Sequence, residues 1–251
     1  MKIDVAFTSS EVQALSEKVC IVVDVIRSTS TLAIIMSRNP GKVILTPTIQ
    51  KAVKFASQQS VHPLLCGERN GLPPEGFDHG NSPREYMDLN LKGRTIVFTS
   101  SNGTRAVADI TIAPHVYLGS FLNASSVVAQ ALKSARTDGL DIQVVCAGRE
   151  EKFALDDAFC AGYLVSLLAG RISSDEEFKL GDGGQGALGV YGYYRDPSRL
   201  FESCESGRAL KEIGLEEDIA FLLQKDICDI VPKLIDSEKS PPEMGDFTLL
   251  T

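Results

Sequence analysis

The stretch Lys18 to Thr31 combines a carboxylate, a guanidinium and a run of hydroxyls, groups that bind and react with anions. Asp24 interrupts the β-branched run Val19 to Ile26, which is typical of a strand buried on both faces. A buried carboxylate is costly unless it is paired or bound to a metal, so we expect Asp24 to have a partner. Arg27 is the nearest candidate. An ordinary helix N-cap beside an Asp–Arg pair is the alternative to an anion site.

Four hydroxyl residues follow Arg27 and precede a helical pattern that begins near Leu32. They are Ser28, Thr29, Ser30 and Thr31. Hydroxyls and free N–H groups at a helix N-terminus form a ready site for phosphate or sulfonate. The stretch Thr99 to Arg105 repeats this combination of an apolar strand, a hydroxyl-rich turn, an arginine and a helix. In a mostly parallel sheet both turns would face one edge and could hold different anionic ends of one ligand.

Further polar residues follow other apolar runs, and the sequence predicts that they converge on the same site. They are Glu68 and Arg69; Asn81, Ser82 and Arg84; Ser100, Ser101, Asn102, Gly103, Thr104 and Arg105; and Arg149, Asp156 and Asp157. Carboxylates at separate strand ends, without clustered histidine or cysteine, favour Mg²⁺ over zinc. Arginines and hydroxyl-capped helix starts suit an anionic substrate. The whole set is what phosphoryl transfer requires.

Each part of this set also has a structural interpretation. Asp156 and Asp157 could match a helix dipole, Asn102-Gly103 could form a turn, and the stretch from Arg149 to Lys152 could be a solvated loop. The familiar patterns of cysteine and haloacid-type phosphatases and the P-loop are absent from the sequence. The segment 181–186 matches G-x-G-x-x-G, but no hydrophobic strand precedes it, which argues against a dinucleotide site.

Composition limits the classes of partner. The chain has 251 residues with 43% hydrophobic content, and we expect residues 1–251 to form a single α/β domain. A net charge of −8 argues against nucleic-acid or anionic-membrane partners, and homo-oligomerisation is left open. Without a signal-peptide pattern or an apolar run of membrane length, a cytoplasmic location is expected. The six cysteines lie mostly inside apolar runs and should be buried thiols.

Strands and helices alternate along the chain up to Arg171, which predicts an α/β fold with a mostly parallel or mixed sheet flanked by helices, and a C-terminal helical subregion. The predicted strands are Ile3 to Phe7 at an edge, Val19 to Ile26, Val43 to Leu45, Leu64 to Gly67, Thr95 to Phe98, Val116 to Leu118, Ile142 to Ala147 and Ile227 to Ile235. The predicted helices are Leu32 to Arg38, Ile49 to Ala56 with its N-cap at Thr46-Pro47, Ala124 to Ala135, Leu155 to Leu168, Ala209 to Ile213 and Ile219 to Leu223. A capping box is expected at Ser82 to Glu85 and a loop at Ser237 to Gly245. The site should lie at the carboxyl ends of the strands.

Five motifs, in this order, resemble those of the 2-phosphosulfolactate phosphatase family. They are DVIRSTST at 24–31, CGERNG at 66–71, FDHGNSPREY at 77–86, FTSSNGTRA at 98–106 and CAGREEKFALDDAFCAG at 146–162. The resemblance implies a Mg²⁺-dependent enzyme that removes phosphate from (R)-2-phospho-3-sulfolactate to give 3-sulfolactate, a step of coenzyme M biosynthesis. Serines in the stretch 99–102, where threonines are expected, and the Gly-rich segment 181–192 depart from the family pattern.

The resemblance leads to a hypothesis for the chemistry. Catalysis would rest on Asp24, Arg27, Glu68 and Asp157. Mg²⁺ would bind to Asp24, Glu68 and Asp156 or Asp157, with phosphate over the hydroxyl run. Whether water or a protein group attacks phosphorus is left open. The alternatives are a phosphatase for another small phosphorylated hydroxy acid and a non-catalytic domain that binds a phosphorylated metabolite.

Overall fold

The computed structural model of the protein describes residues 1–173, 175–235 and 247–250. Its strands are β1 (Lys2–Ala6), β2 (Lys18–Val23), β3 (Lys42–Leu45), β4 (Leu64–Gly67), β5 (Thr95–Thr99), β6 (His115–Leu118), β7 (Asp141–Cys146), β8 (Lys179–Leu180), β9 (Lys233–Ile235) and β10 (Phe247–Leu250). Its α-helices are α1 (Ser28–Ser37), α2 (Ile49–Ser57), α3 (Gly103–Asp109), α4 (Ala124–Asp138), α5 (Leu155–Gly170), α6 (Asp182–Tyr193), α7 (Pro197–Ser203), α8 (Glu205–Glu212) and α9 (Glu217–Leu222). The predicted α/β class is confirmed.

The sheet is mixed, and its order within the described residues is β4-β5-β3-β10-β9-β6-β2-β7-β1-β8. One parallel group consists of β4, β5 and β3, and the other of β6, β2, β7, β1 and β8. The strands β10 and β9 join the groups, and β10–β3, β10–β9 and β9–β6 are all antiparallel pairs. The two groups therefore run in opposite directions along the sheet.

The sheet must bend strongly between the two groups. β2 and β5 are five positions apart in the strand order, about 24 Å in a flat sheet. Nevertheless, the turns that follow them touch, because Ser28 Oγ and Ser100 Oγ are 3.1 Å apart. The two hydroxyl–arginine turns meet as expected, but not because they share one edge of a parallel sheet. The twist between neighbouring strands is the physical source of such bending.

Strand β2 and helix α1 form the buried centre around the first turn. Along β2, Val19, Ile21 and Val23 join one hydrophobic cluster while Cys20 and Val22 join another, so both faces are covered. Every residue from Ser28 to Met36 is buried. Helix α5 is also largely buried, as predicted. The loop between β2 and α1 is therefore held on all sides, which fixes the position of Asp24.

Several predictions of local structure are wrong. The strand at Ile3 to Phe7 is not an edge, because β1 lies between β7 and β8. Helix α2 is capped by Thr48, whose Oγ1 accepts a hydrogen bond from Lys51 N, and not by Thr46-Pro47. Of the strand predicted at Ile227 to Ile235 only β9 is present. The loop predicted for Ser237 to Gly245 lies outside the described residues.

The capping box predicted at Ser82 to Glu85 is also absent. The segment Pro83–Tyr86 is a short 3₁₀ helix without a side-chain cap. Ser82 Oγ donates instead to Asp218 on α9, and Glu85 accepts from the backbone N–H of Gly80. Both side chains therefore connect segments rather than terminate a helix.

Three glycines of segment 181–192, at positions 181, 183 and 184, allow close packing. They lie in and next to α6, which follows the two-residue strand β8. A Cβ at Gly183 would overlap the carbonyl oxygen of Val5, and one at Gly162 on α5 would overlap that of Ala187. Helix α6 can thus approach β1 and α5 closely only because these positions lack side chains. None of the helices in the described residues is long and apolar enough to cross a membrane.

Candidate active site

A cavity of about 520 Å³ opens where the loops after β2, β4, β5 and β7 meet helix α8. The predicted site residues that line it are Asp24, Arg27, Glu68, Asn81, Ser101, Asn102, Arg105 and Arg149. Residues that were not predicted complete the wall: Ile26, Asn70, Gly71, Glu150, Glu151, Ser206, Ala209, Leu210, Glu212 and Ile213. The prediction that these strand ends converge is confirmed for the residues of the first list.

Asp24 is buried at the meeting point of two helix N-termini. Its Oδ1 accepts a hydrogen bond from Ser28 N at 3.4 Å, and the backbone N–H of Gly103 also donates to its carboxylate. Burial, and then the negative charge of Glu68, raises the pKa of Asp24 to about 7. A Cβ at Gly103 would lie 2.7 Å from Asp24 Oδ2, so only glycine lets the second turn approach this carboxylate.

Glu68 is held by three donors from two loops. Ser101 N donates to Oε1 at 2.6 Å, while Ser101 Oγ and Gly71 N donate to Oε2 at 3.1 and 2.9 Å. The end of β4 is thereby connected to the turn after β5. Because Glu68 and Asp24 line the same cavity, two carboxylates face one space in fixed orientations.

Asp156 and Asp157 have different surroundings. Both oxygens of Asp157 accept backbone hydrogen bonds, from Val25 N at 2.9 Å and Gly148 N at 3.0 Å. This carboxylate therefore ties the ends of β2 and β7 together and does not line the main cavity. Burial raises the pKa of Asp157 well above its usual value.

Asp156 lies beside the main cavity. It accepts a 3.1 Å hydrogen bond from Ser206 Oγ and lines a smaller cavity of about 260 Å³ that shares Arg149 and Ser206 with the main one. Burial raises the pKa of Asp156 to about 6. Of the two neighbouring carboxylates, Asp156 is thus the one that lines a cavity, next to the main one.

The partner expected for Asp24 is bonded elsewhere. Arg27 Nη1 donates to Asp218 Oδ2 at 2.8 Å, and Arg27 Nη2 donates to the carbonyl oxygen of Gly71 at 2.6 Å. Both side chains of the ion pair are only 2% exposed. The prediction of an Asp24–Arg27 pair is wrong because Asp218, far away in the sequence, reaches the guanidinium from α9. Arg27 still lines the cavity.

The hydroxyl run after Arg27 is bonded mainly inside the protein. Thr29 and Ser30 donate to the carbonyl oxygens of Asp24 and Val25, and Thr31 donates to that of Asn81. Ser28 contacts Ser100 in the second turn. These bonds fix the shape of the loop around Asp24. A direct contact of these hydroxyls with phosphate stays a prediction.

The second turn presents its arginine differently. Arg105 is 42% exposed and forms a 3.1 Å ion pair with Glu151, which is 73% exposed. Asn102 Oδ1 accepts from Glu150 N, and Thr104 is bonded to Ser100 inside the turn. Arg149, which lines both cavities, forms no ion pair with the described residues. Two guanidinium groups therefore stand at the mouth of the site.

The remaining predicted residues divide into one group at the cavity and one away from it. Asn81 is 4% exposed and lines the cavity, and its buried Oδ1 has no hydrogen-bond partner in the described residues. Arg69 donates to Glu68 O, Pro47 O and Thr99 Oγ1 and does not line the cavity. Arg84 forms an exposed ion pair with Glu217 on α9. Asn81 is therefore the member of this group with an unused polar atom.

Sequence reasoning missed the contribution of the C-terminal helices. Ala209 to Ile213 is predicted as a helix, but nothing in its composition shows that Leu210 and Ile213 cover the cavity. The sequence does not mark Asp218 either, because an acidic residue at the start of a short helix is usually a solvated cap. The available signal for Asp218 was its position in the sequence pattern of a buried apolar helix face, where a charged residue is unusual.

The donor set fits Mg²⁺ in the manner usual for phosphoryl-transfer sites. In the described residues, no group of three or more His, Cys, Asp or Glu side chains is arranged to hold an ion by itself. Mg²⁺ usually takes only one or two protein carboxylates and keeps waters and substrate phosphate as its other ligands. Asp24 and Glu68 supply the carboxylates, and Asn81 Oδ1 is a neutral oxygen without a partner. Magnesium itself stays a prediction.

The fold and the site are those of an α/β enzyme for an anionic substrate. Paired carboxylates and guanidinium groups surround one cavity. The family model described as 2-phosphosulpholactate phosphatase matches residues 6–237. The chain belongs to this family, as the sequence motifs predict, and is therefore a phosphatase.

Individual relatives have the same description. A probable 2-phosphosulfolactate phosphatase of Clostridium acetobutylicum is 30% identical over 240 residues, covering 95% of this chain and 99% of the relative. Proteins of the same description from Caldanaerobacter subterraneus and Thermus thermophilus are 37% and 36% identical over 88% and 86% of this chain, and 89% and 87% of their own lengths are covered. The match to the family model, residues 6–237, includes all the loops that line the cavity.

Proposed function

We propose that this protein hydrolyses the phosphate monoester of 2-phospho-3-sulfolactate to 3-sulfolactate and phosphate, in a reaction that depends on Mg²⁺. One observation carries the proposal: the buried carboxylate of Asp24 lies beside Glu68 at the wall of a polar cavity and faces N–H groups of two helices. The names of the relatives supply the substrate. Coenzyme M biosynthesis and a cytoplasmic location belong to the same proposal.

Two carboxylates are oriented before the substrate arrives. Ser28 N and Gly103 N hold Asp24, and the donors from Ser101 and Gly71 hold Glu68, so neither side chain needs to reorganise during the reaction. Mg²⁺ bound to these carboxylates would neutralise negative charge on the phosphoryl group. The chain's own role is to hold the carboxylates at the cavity wall, with Asn81 Oδ1 as a further oxygen ligand.

Arginine side chains meet the rest of the substrate charge. The substrate carries phosphate, sulfonate and carboxylate groups, whereas the protein has a net charge of −8, so positive charge must be local. Arg27, fixed by Asp218 and Gly71, would contact the phosphoryl oxygens, whose charge increases in the transition state. Arg105 and Arg149, at the cavity mouth, would hold the sulfonate and carboxylate ends.

The direct test is phosphate release from 2-phospho-3-sulfolactate with Mg²⁺, with EDTA, and with Mg²⁺ added back. We expect turnover only with the metal. Asp24→Asn should lower kcat by roughly a thousandfold or more without unfolding the protein, because the neutral amide loses the charge of the carboxylate. Asp88→Asn, an exposed carboxylate outside the cavity, is the matched control and should keep full activity.

The substrate panel separates this proposal from the alternatives. 2-Phospholactate, which lacks the sulfonate, should be a poorer substrate. If it is hydrolysed as well as 2-phospho-3-sulfolactate, the enzyme is a phosphatase for another phosphorylated hydroxy acid. If the protein binds these esters but releases no phosphate under any metal condition, it is a binding domain, and the proposal is wrong.

A further inference from the structure

Asp218 is a buried carboxylate in the C-terminal helical region. The pattern of polar residues at strand ends does not explain its burial. It is 2% exposed and lies on the six-residue helix α9. Its two oxygens are used separately: Oδ2 accepts from Arg27 Nη1 at 2.8 Å, and Oδ1 accepts from Ser82 Oγ at 2.6 Å. The side chain of Asp218 thus binds two segments of the chain. One carries Arg27, which lines the cavity, and the other carries Ser82, whose neighbour Asn81 lines it.

The first segment carries the guanidinium of Arg27. Its Nη1 is bonded to Asp218 and its Nη2 to Gly71 O, so two directions of the planar group are fixed. A guanidinium held by two acceptors keeps one orientation, and Arg27 lines the cavity although it is almost fully buried. Without Asp218 the group would be a buried cation with a single carbonyl partner.

The second segment carries the amide of Asn81. Thr31 Oγ1 donates to the carbonyl oxygen of Asn81, and the neighbouring Ser82 is bonded to Asp218. The backbone is therefore held on both sides of a side chain that lines the cavity and whose Oδ1 has no partner in the described residues. Native structures rarely leave a buried polar atom unpaired, so this atom is available for a ligand.

We propose that Asp218 is a positioning residue, which holds Arg27 and, through Ser82, Asn81 in the orientation that meets the phosphorylated substrate. This inference rests on the proposed function. A buried ion pair is weak evidence for stability, since well-packed apolar residues can often replace one without loss. The two hydrogen bonds of Asp218, each to a different segment at the cavity, instead favour a role in orienting these segments.

The same helix provides a matched control. Glu217, next to Asp218 in sequence, forms an ion pair with Arg84, but these side chains are 77% and 46% exposed and neither lines the cavity. Glu217→Gln therefore removes an ion pair between α9 and the segment that carries Ser82, without affecting the bonds of Asp218 to Arg27 and Ser82. It should leave kcat and KM unchanged.

Asp218→Asn is the main variant, because the neutral carboxamide loses the charge that pairs with Arg27, and its single oxygen can accept from Arg27 only if the Ser82 hydroxyl turns to accept from Nδ2. We expect kcat for 2-phospho-3-sulfolactate to fall about 30-fold and KM to change less than threefold, measured well below the melting temperature. Ser82→Ala keeps the charge of Asp218 and should fold even if Asp218→Asn does not. It should lower kcat about threefold to tenfold.

A double variant separates positioning from stability. Because Asp218 acts through Arg27 and through Ser82, Asp218→Asn should cost at most the loss expected for Ser82→Ala, about threefold to tenfold, in an Arg27→Ala background, less than it costs in the wild type. The double variant should also melt at a higher temperature than Arg27→Ala alone, because it no longer buries an unpaired carboxylate. Additive losses of kcat, or a folded Asp218→Asn protein with wild-type kcat, would overturn the positioning role.

A readout without turnover keeps this inference distinct from the proposed function. Binding of inorganic phosphate, measured by calorimetry in the presence of Mg²⁺, should be about tenfold weaker for Asp218→Asn and unchanged for Glu217→Gln. If wild-type protein hydrolyses none of the esters, the proposed function is wrong. Equal phosphate affinity of Asp218→Asn and wild type would remove the positioning role alone.

Discussion

The two hydroxyl–arginine turns contain the same kinds of residues, but their arginines have different surroundings. The first, at Arg27 to Thr31, is buried, and its arginine is bonded to Asp218 and Gly71. In the second, at Ser100 to Arg105, the arginine is 42% exposed and pairs with an exposed glutamate. Similar sequence signals thus produce a rigid group in one turn and a solvent-screened one in the other.

The difference indicates that the two arginines have different roles in the site. Groups that stabilise charge in a transition state act best when they are fixed and desolvated, as Arg27 is. A partly exposed arginine pays side-chain entropy and is screened, so it contributes less to binding and little to the chemical step. The strands can only bring the two turns together. The contact from helix α9, in the C-terminal region, makes the arginines of the two turns differ in burial and bonding.

Arg27→Ala should have the largest effect of the arginine changes. We expect kcat to fall roughly a hundredfold, because the lost contact strengthens as charge develops on the phosphoryl oxygens. The unfolding free energy should also fall by about 3–5 kcal/mol, since Asp218 is left buried and unpaired. Steady-state kinetics and urea denaturation measure the two effects. A variant with raised KM and unchanged kcat would contradict a role in the chemical step.

The buried carboxylate of Asp24, next to the first turn, should make the stability of the protein depend on pH. The pKa of Asp24 is raised from 3.8 to about 7 in the folded protein, so the folded state binds protons that the unfolded state releases. Without Mg²⁺ the unfolding free energy should therefore decrease as pH rises from about 4 to about 7. A fall in melting temperature of about 5 °C over this range is expected.

Asp24→Asn and Mg²⁺ provide the controls for this pH dependence. The variant should show a flatter profile, because one titrating group is gone. Mg²⁺ binds the ionised carboxylate, so it should raise the melting temperature more at pH 8 than at pH 5. A metal-free protein that becomes more stable as pH rises from 4 to 7 would show that other groups dominate.

Arg105→Ala should have a smaller effect, mainly on binding. Because the side chain is 42% exposed and already paired with Glu151, we expect KM to rise roughly three- to tenfold with kcat nearly unchanged. Glu151→Gln should lower KM slightly, since it removes a competing carboxylate. If Arg105→Ala penalises 2-phospholactate as much as 2-phospho-3-sulfolactate, Arg105 does not bind the sulfonate.

The cysteines should have no effect on activity. Of the six, five are buried and Cys228 is partly buried, and burial raises the pKa of Cys20 and of Cys66 to about 12. Thiols of this kind react slowly, because the thiolate is the nucleophile. Mild alkylation of the native protein should leave phosphate release unchanged. Stoichiometric inactivation that substrate prevents would place a cysteine at the site.

Sequence could predict the elements and the polar loops because both depend on local patterns. The β-branched run of β2 and the apolar pattern of α5 specify buried elements, and strand ends in such folds gather at a site. The family motifs then selected Asp24, Glu68 and Arg149, all of which line the cavity. The catalytic and metal-binding roles of Asp24 and Glu68 and the substrate-binding role of Arg149 stay predictions, as does the single-domain organisation.

Long-range partners could not be predicted, because no local pattern records them. The partner of Arg27 is 191 positions away at Asp218, and the donors of Glu68 come from both Gly71 and Ser101. The strong bend of the sheet is likewise a property of how its two parallel groups join. The strand β10 carries too short an apolar pattern to be distinguished from a loop.

That last strand affects the order in which the chain can fold during synthesis. β10 lies between β3 and β9, so it pairs with a strand made some 200 residues earlier. A ribosome adding about 5–20 residues per second would take on the order of ten seconds or more to complete the distance between them. During that time β3 has an open edge able to pair with other chains, and β4, β5 and β3 cannot be joined to the other parallel group. The nascent protein should therefore need protection from aggregation until β10 emerges.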